Sequence, residues 1–417
     1  MAIAAIPEYL NHQDLSAASP GMRFGMYLPV WGRDNRTKEI LWGTHDINYR
    51  IAGRDHQERR FEDNNKVASL KQALKLNRSD TEIMEALTTR QTTAAASMAT
   101  TGQLLSLNAK AIAPFTTGLG NEHPLENGFA FLNPYGLPYL PGSGVKGVLR
   151  QAARELLKGD WGDACDWNED AINALFGKED SNSPQRGTLS FWDVIPQLKG
   201  NTLQVEVMTA HQGHYYQQGE SPHDSGQPIP INFLTIPPGS GFTFHVQCNR
   251  PFLSRLAPRL AADDRWRDLL QVAFTHAFDW LGFGAKTAVG YGHMQIDEQR
   301  TEQIRQEQEE EEREQARQKE LESALDGLPE DAAWIETQSH SGDWQDNNRL
   351  LGDLEAFLDG HENLSQEALR RLRTILDQHW KGIIENPDAT HGKKNKPSFK
   401  PRPRELARRL IAMLGKA

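Results

Sequence analysis

The sequence predicts an α+β fold, one plait of strands and helices held between two helical extensions. Three observations carry that expectation. Between about 101 and 297 the segments run strand, helix, several strands, helix, strand. The strand-like segments are short and bounded by Gly and Pro. Outside those limits the chain is helix-rich, with a charge run "EQRTEQIRQEQEEEER" at 298–313. Together they describe a ferredoxin-like βαββαβ domain with an extra β-hairpin, plus helical N- and C-terminal extensions.

Residues 1–100 read as the N-terminal extension. It is loop-rich around Trp31, Arg33 and Trp42, then helical from about Phe61 to Thr100, where Ala, Leu, Lys and Glu dominate. The plait opens with "GQLLSLNAKAIAPF", whose alternation puts Leu105, Leu107 and Ala109 on one strand face. A helix follows at 145–158. Its apolar positions Val145, Val148, Leu149, Ala152, Ala153, Leu156 and Leu157 make one buried stripe, and Ser143 suits the N-cap. "GTLSFWDVIP", "TLQVEVMTA", "IPINFLTI" and "GFTFHVQC" read as strands, 263–281 as the second helix, and "AVGYGHMQID" as the last strand. Residues 298–417 read as an acidic helix and a C-terminal helical module with a basic tail. Leu350, Leu351, Leu354, Phe357 and Leu358 form one apolar stripe there, and Leu369, Leu372, Ile375 and Leu376 a second.

Composition narrows the class. The chain has 417 residues and a net charge of -10, enough length for two or three domains. Its acid is concentrated near 298–313 and its base near 393–409, so the net value does not exclude a nucleic-acid partner. Cys165 and Cys248 form no zinc or redox motif, which fits a reducing, cytoplasmic setting. No signal peptide and no membrane-spanning run are recognised, so no membrane partner is expected.

The most informative stretch is "GLPYLPGSGVKGVLRQAARELLKG", 136–159. A loop of Gly142, Ser143 and Gly144 leads into the helix, and Lys146 falls in its expected first turn, where the helix dipole disfavours a cation. Lys146, Arg150, Arg154 and Lys158 stand four apart and form a basic ridge. Glycine-exposed amides beside such a ridge suit a phosphate backbone. This is not a Walker A loop, because valine stands where that motif needs lysine. In "GFGAKTAVGYG", 282–292, Gly284, Lys286, Thr287, Gly290, Tyr291 and Gly292 form a loop able to approach another backbone. Thr287 breaks the dinucleotide-binding glycine pattern.

The stretch 208–233 carries His211, His214, Tyr215, Tyr216, His223 and Asp224. It reads as a structural loop, as a base-stacking RNA contact, or as a metal or acid–base site. Glu122 and His123 are a further acid–base pair, at a place where a nuclease could act on a 2′-OH.

"GLGNEHP", "GLPYLPGSGVKGVLR", "MTAHQGHYY", "PIPINFLTI" and "GFGAKTAVGYG", in that order, resemble the RAMP superfamily of CRISPR effector proteins. Within it they are most similar to the sixth-subunit family of Cmr (type III-B) RNA-targeting complexes. The resemblance covers roughly 101–297. It implies an RRM-like RAMP domain that binds CRISPR RNA and target RNA beside other RAMP subunits near one end of a filament. Cleavage is then expected from another subunit, with no cofactor here. It places Ser143, Lys146 and Arg150 in an RNA-contacting loop and helix, and Gly284, Lys286, Thr287, Gly290 and Gly292 in the glycine-rich loop. Gly144 departs from the family's usual second serine, and Ala210 from its usual proline. A metal-independent endoribonuclease of the same superfamily, using Glu122, His123 or His211, is the alternative.

Overall fold

The computed structural model describes residues 4–10, 13–33, 40–41, 47–52, 58–63, 65–159, 167–178, 180, 182–210, 219, 221, 229–361, 363–391 and 396–415. It divides into two compact units, 1–301 and 302–417.

The first unit begins with helix α1 (Pro20–Gly25), the antiparallel pair β1 (Ile47–Ala52) and β2 (Glu58–Asp63), and helices α2 (Asn65–Gln72) and α3 (Arg78–Ala99). The continuous helix expected from Phe61 is therefore corrected. Phe61 lies in a strand, opposite Tyr49. The helical part is also cut at 73–77, where Asn77 and Asp80 form a capping box that starts α3 anew. Inside the break, the Leu76 N–H donates to the Asn201 carbonyl. The buried Arg23 guanidinium ties α1 to the end of α2 through the carbonyls of Gln72 and Lys75.

The centre is a four-stranded antiparallel sheet made from β3 (Leu104–Ala111), β6 (Leu189–Phe191), β9 (Gly241–Cys248) and β10 (Met294–Ile296). Its order is β6-β9-β3-β10. Helix α4 (Gly142–Leu157) follows β3, and α6 (Arg265–His276) follows β9. Between α4 and β6 come α5 (Glu169–Phe176) and a short ladder of β4 (Gly177–Lys178) with β5 (Gln185–Arg186). A separate antiparallel pair, β7 (Gln204–Ala210) with β8 (Ile229–Thr235), precedes β9.

Register explains how the core forms. Leu105, Leu107 and Ala109 stand opposite Val246, Phe244 and Phe242, and all six point to the helix side of the sheet. There they meet Val145, Leu149, Ala152, Ala153 and Leu156 of α4 and Trp266, Leu270, Ala273 and Phe274 of α6. Phe244 lies 5.4 Å from Phe274 and 4.9 Å from Phe283, ring centre to ring centre. Aromatic packing thus binds sheet, helix and glycine-rich loop into one core.

The alternate positions are polar. Ser106 faces His245 across β3–β9, its Oγ 2.8 Å from Nδ1, and Thr243 donates to Asn108 at 3.0 Å. Helix α3 lies against β3, and its Gln91 donates to the Asp193 carbonyl at 2.8 Å. Phe24, Leu28, Val30, Leu70, Leu76 and Met84 belong to the same core as the sheet.

Helix α7 (Glu298–Leu325) leads into the second unit, made of α8 (Glu330–His340), α9 (Asn347–Gly360), α10 (Gln366–His379) and α11 (Pro401–Leu414). The two leucine stripes meet as their spacing predicts: Leu350, Leu354, Leu369, Leu372 and Leu376 share a core with Leu406 and Leu410. Three arginines of the basic tail do not stand free. Arg402 pairs with Glu355 at 2.6 Å, Arg408 with Asp388 at 2.6 Å and Arg409 with Asp359 at 2.7 Å. These arginines fasten α11 to its neighbours, which periodicity alone could not reveal. No described helix is long and apolar enough to cross a membrane.

Candidate nucleic-acid interface

The cationic helix starts three residues earlier than its apolar pattern suggested. Pro141 is the flanking residue, and Gly142, Ser143 and Gly144 form the first turn. Ser143 is therefore not the N-cap. The Gly142 N–H donates instead to Asp193 Oδ1 at 2.7 Å, so a carboxylate already serves the end expected to be bare. Gly142 is buried, and a Cβ there would run into the Phe191 carbonyl. It is a glycine for close packing under β6 rather than for exposing amides. Ser143 and Gly144 are exposed. The earlier start also moves Lys146 into the second turn, where the dipole has largely decayed.

Along α4, Lys146 and Arg150 are half-buried, while Arg154 and Lys158 are exposed. Lys146 and Arg154 take no ion pair among the described residues. Arg150 is engaged: its Nη2 donates to the Gly177 carbonyl at 3.2 Å, joining α4 to β4. Between the last two cations stands Glu155, which turns to the buried His276 of α6 at 2.8 Å. Burial alone would raise the Glu155 carboxyl, but its hydrogen bonds from His276 and Gln151 and the charges of His276 and Lys158 hold it below its ordinary value. The stripe that remains is Lys146, Arg154 and Lys158, with Arg150 half committed to the fold.

The glycine-rich loop forms a second group. The Gly292 N–H donates to the Pro114 carbonyl and the Ala285 N–H to Thr116, each at 2.8 Å, so the loop lies on the chain leaving β3. A Cβ on Gly292 would run into the Phe283 carbonyl, and its φ of 71° is left-handed. Gly284 approaches the Thr116 carbonyl just as closely. Gly290 has open space around it within the chain, and its φ of 96° is left-handed. Lys286 turns inward: its ammonium donates to Met208 Sδ and lies 5.6 Å from the Phe233 ring centre. Tyr291 packs edge-on to Phe233 at 5.5 Å, and its hydroxyl reaches Glu206 at 3.4 Å. Burial and the Glu206 charge raise that phenol above its ordinary value. Lys286 and Tyr291 therefore clamp the loop to β7–β8. Thr287 opens a turn of 3-10 helix at Thr287–Val289.

His211, His214, Tyr215 and Tyr216 lie outside the described residues, as do His223 and Asp224. Glu122 is exposed. His123 stacks on Phe24 at 3.8 Å with the rings nearly parallel. Its Nδ1 accepts from the Leu125 N–H at 3.2 Å, and its Nε2 lies 2.9 Å from the Phe24 carbonyl, a contact that fits a donating Nε2–H. Both nitrogens are spent, and burial holds the ring below its usual pKa. It fixes the 118–128 loop onto α1. Asp193 escaped notice in the sequence, because a cap supplied 51 residues downstream leaves no local signature.

Residues 108–295 match the family model of the RAMP superfamily. The chain is 30% identical over 231 residues to the CRISPR system Cmr subunit Cmr6 of Pyrococcus furiosus, covering 42% of this chain and 63% of that protein. It is 26% identical over 196 residues to the CRISPR system CMR subunit Cmr6 of Saccharolobus solfataricus, covering 46% and 57%. The chain spans about three fifths of the length of these curated relatives. Among solved structures, the type III-B Cmr-beta complex bound to cognate target RNA aligns at a TM-score of 0.37 and 18% identity, over 56% of this chain and 71% of that one. The crystal structure of Cmr6 from Pyrococcus furiosus aligns at 0.27 and 24% identity, over 46% and 98%. With α4, α6, the glycine-rich loop and most of the sheet inside the matched segment, residues 108–295 of the chain are similar to the RAMP superfamily.

Proposed function

We propose that this chain is a non-catalytic, RNA-binding backbone subunit of a type III-B (Cmr) CRISPR ribonucleoprotein. It would grip CRISPR RNA, and the guide–target duplex, near one end of a filament of RAMP subunits in the cytoplasm. The observation that carries the reading is the stripe of Lys146, Arg154 and Lys158 along α4, in a chain similar to Cmr6 proteins. Cations eight and four residues apart on one helix can contact successive phosphates of a backbone without reading sequence. The strand order β6-β9-β3-β10, with α4 and α6 on one face, supports a ferredoxin-like domain in which β7–β8 is the added hairpin. His123, with both ring nitrogens engaged, supports a structural rather than an acid–base role at the 118–128 loop.

The test is to purify the tagged chain from its host under native conditions and sequence the bound small RNA. CRISPR-derived RNA that is lost in Lys146→Glu/Arg154→Glu supports the reading. Recovery of Cmr-type partners without RNA contact to this chain, judged by ultraviolet crosslinking, would make it an assembly adaptor instead.

A further inference from the structure

Arg150, the second cation of the α4 stripe, does not end in solvent. It ends on the Gly177 carbonyl, the first residue of β4. In the β4–β5 ladder Gly177 is the register partner of Arg186. The stripe therefore meets, at Arg150, a second element whose own arginine stands directly across the ladder.

Arg186 is exposed and takes no side-chain hydrogen bond or ion pair among the described residues. Its neighbour across the same ladder, Lys178, is already paired with Asp180 at 2.9 Å. The acids of α5, Glu169 and Asp170, lie at the start of that helix, about 10 Å of helical rise from Gly177. An uncompensated guanidinium beside a committed one is well placed for a phosphate, which its planar fork binds in bidentate fashion.

We infer that Arg186 continues the phosphate-contacting surface of α4 onto the β4–β5 ladder, the partner being the sugar–phosphate backbone of RNA. This rests on the RNA-binding reading above. Arg150 acts as the positioning residue that holds the ladder against α4, and Arg186 makes the contact.

The full chain is titrated with a labelled single-stranded RNA by filter binding between about 50 and 200 mM salt. Arg186→Glu should weaken binding several-fold and lower the salt slope by about one. Arg186→Gln, which removes only the charge, should reproduce the slope change. Both should melt like the wild type, whereas Arg150→Ala should melt lower. If Arg186→Glu and Arg186→Gln keep wild-type affinity and slope while Lys146→Glu weakens binding, the inference fails and the RNA reading stands. If Lys146→Glu and Arg154→Glu also bind as wild type does, or the wild type binds no RNA, the underlying reading fails with it.

Discussion

The Asp193 carboxylate accepts a 2.7 Å hydrogen bond from the Gly142 N–H and so caps the helix that carries the cationic stripe. The acid stabilises the helix end and at the same time places a negative charge where a phosphate would approach. Asp193→Asn should therefore act in opposite directions on two measurements. Stability should fall by about 1 kcal/mol, as for a lost charge at an N-terminus. RNA affinity should rise, with little change in salt slope. Weaker RNA binding by a folded Asp193→Asn would show that the carboxylate organises the interface instead of guarding it.

The glycine-rich loop allows a graded comparison. Gly290→Ala meets open space and costs only its left-handed φ, about 1–2 kcal/mol. Gly292→Ala adds a clash with the Phe283 carbonyl and should cost more than about 3 kcal/mol. Chemical denaturation of both variants checks the order. Equal losses would mean that the Phe283 segment yields freely.

His245 should make the first unit acid-sensitive. Burial beneath the polar sheet face lowers its pKa from 6.5 to about 4. The unfolded chain therefore binds a proton that the folded one refuses between those values, and stability falls as pH drops through that window. The full effect is about 3 kcal/mol, complete only below about pH 4. His123, lowered for the same reason, adds in the same direction. His245→Gln should flatten urea-derived stability between pH 6.5 and 4. An unchanged pH slope in that variant would assign the acid sensitivity elsewhere.

The arginines of α11 are predicted to serve folding alone. Arg402→Ala and Arg409→Ala break pairs with Glu355 and Asp359 and should lower the melting point of the second unit slightly, since such exposed pairs are weak. RNA affinity should stay at the wild-type value. A several-fold loss of RNA binding in either variant would return the tail to the interface.

Much of the sheet was legible because each strand has one apolar face, and alternation reports that directly, as at Leu105, Leu107 and Ala109. Both leucine stripes of the second unit were legible for the same reason. What escaped was whatever depends on a distant partner. "PGSG" reads as a loop until Phe191 and Asp193 arrive to explain why glycine begins the helix. The arginines of α11 read as a free basic patch until α9 supplies its acids. Lys286 reads as one more residue of a glycine-rich loop until Met208 and Phe233 show where its ammonium goes. At the candidate site the residue types were visible from the sequence, but their commitments were not.

Helix α2 packs on β7 and β8, strands that leave the ribosome about 130–160 residues after it does. At ordinary synthesis rates that is a wait of roughly 7–30 s, during which α2 lacks its contacts with that strand pair. The last strand, β10, closes the sheet only when nearly two hundred residues have been made after β3. Nascent-chain proteolysis should find residues 20–100 cleavable until β9 has emerged.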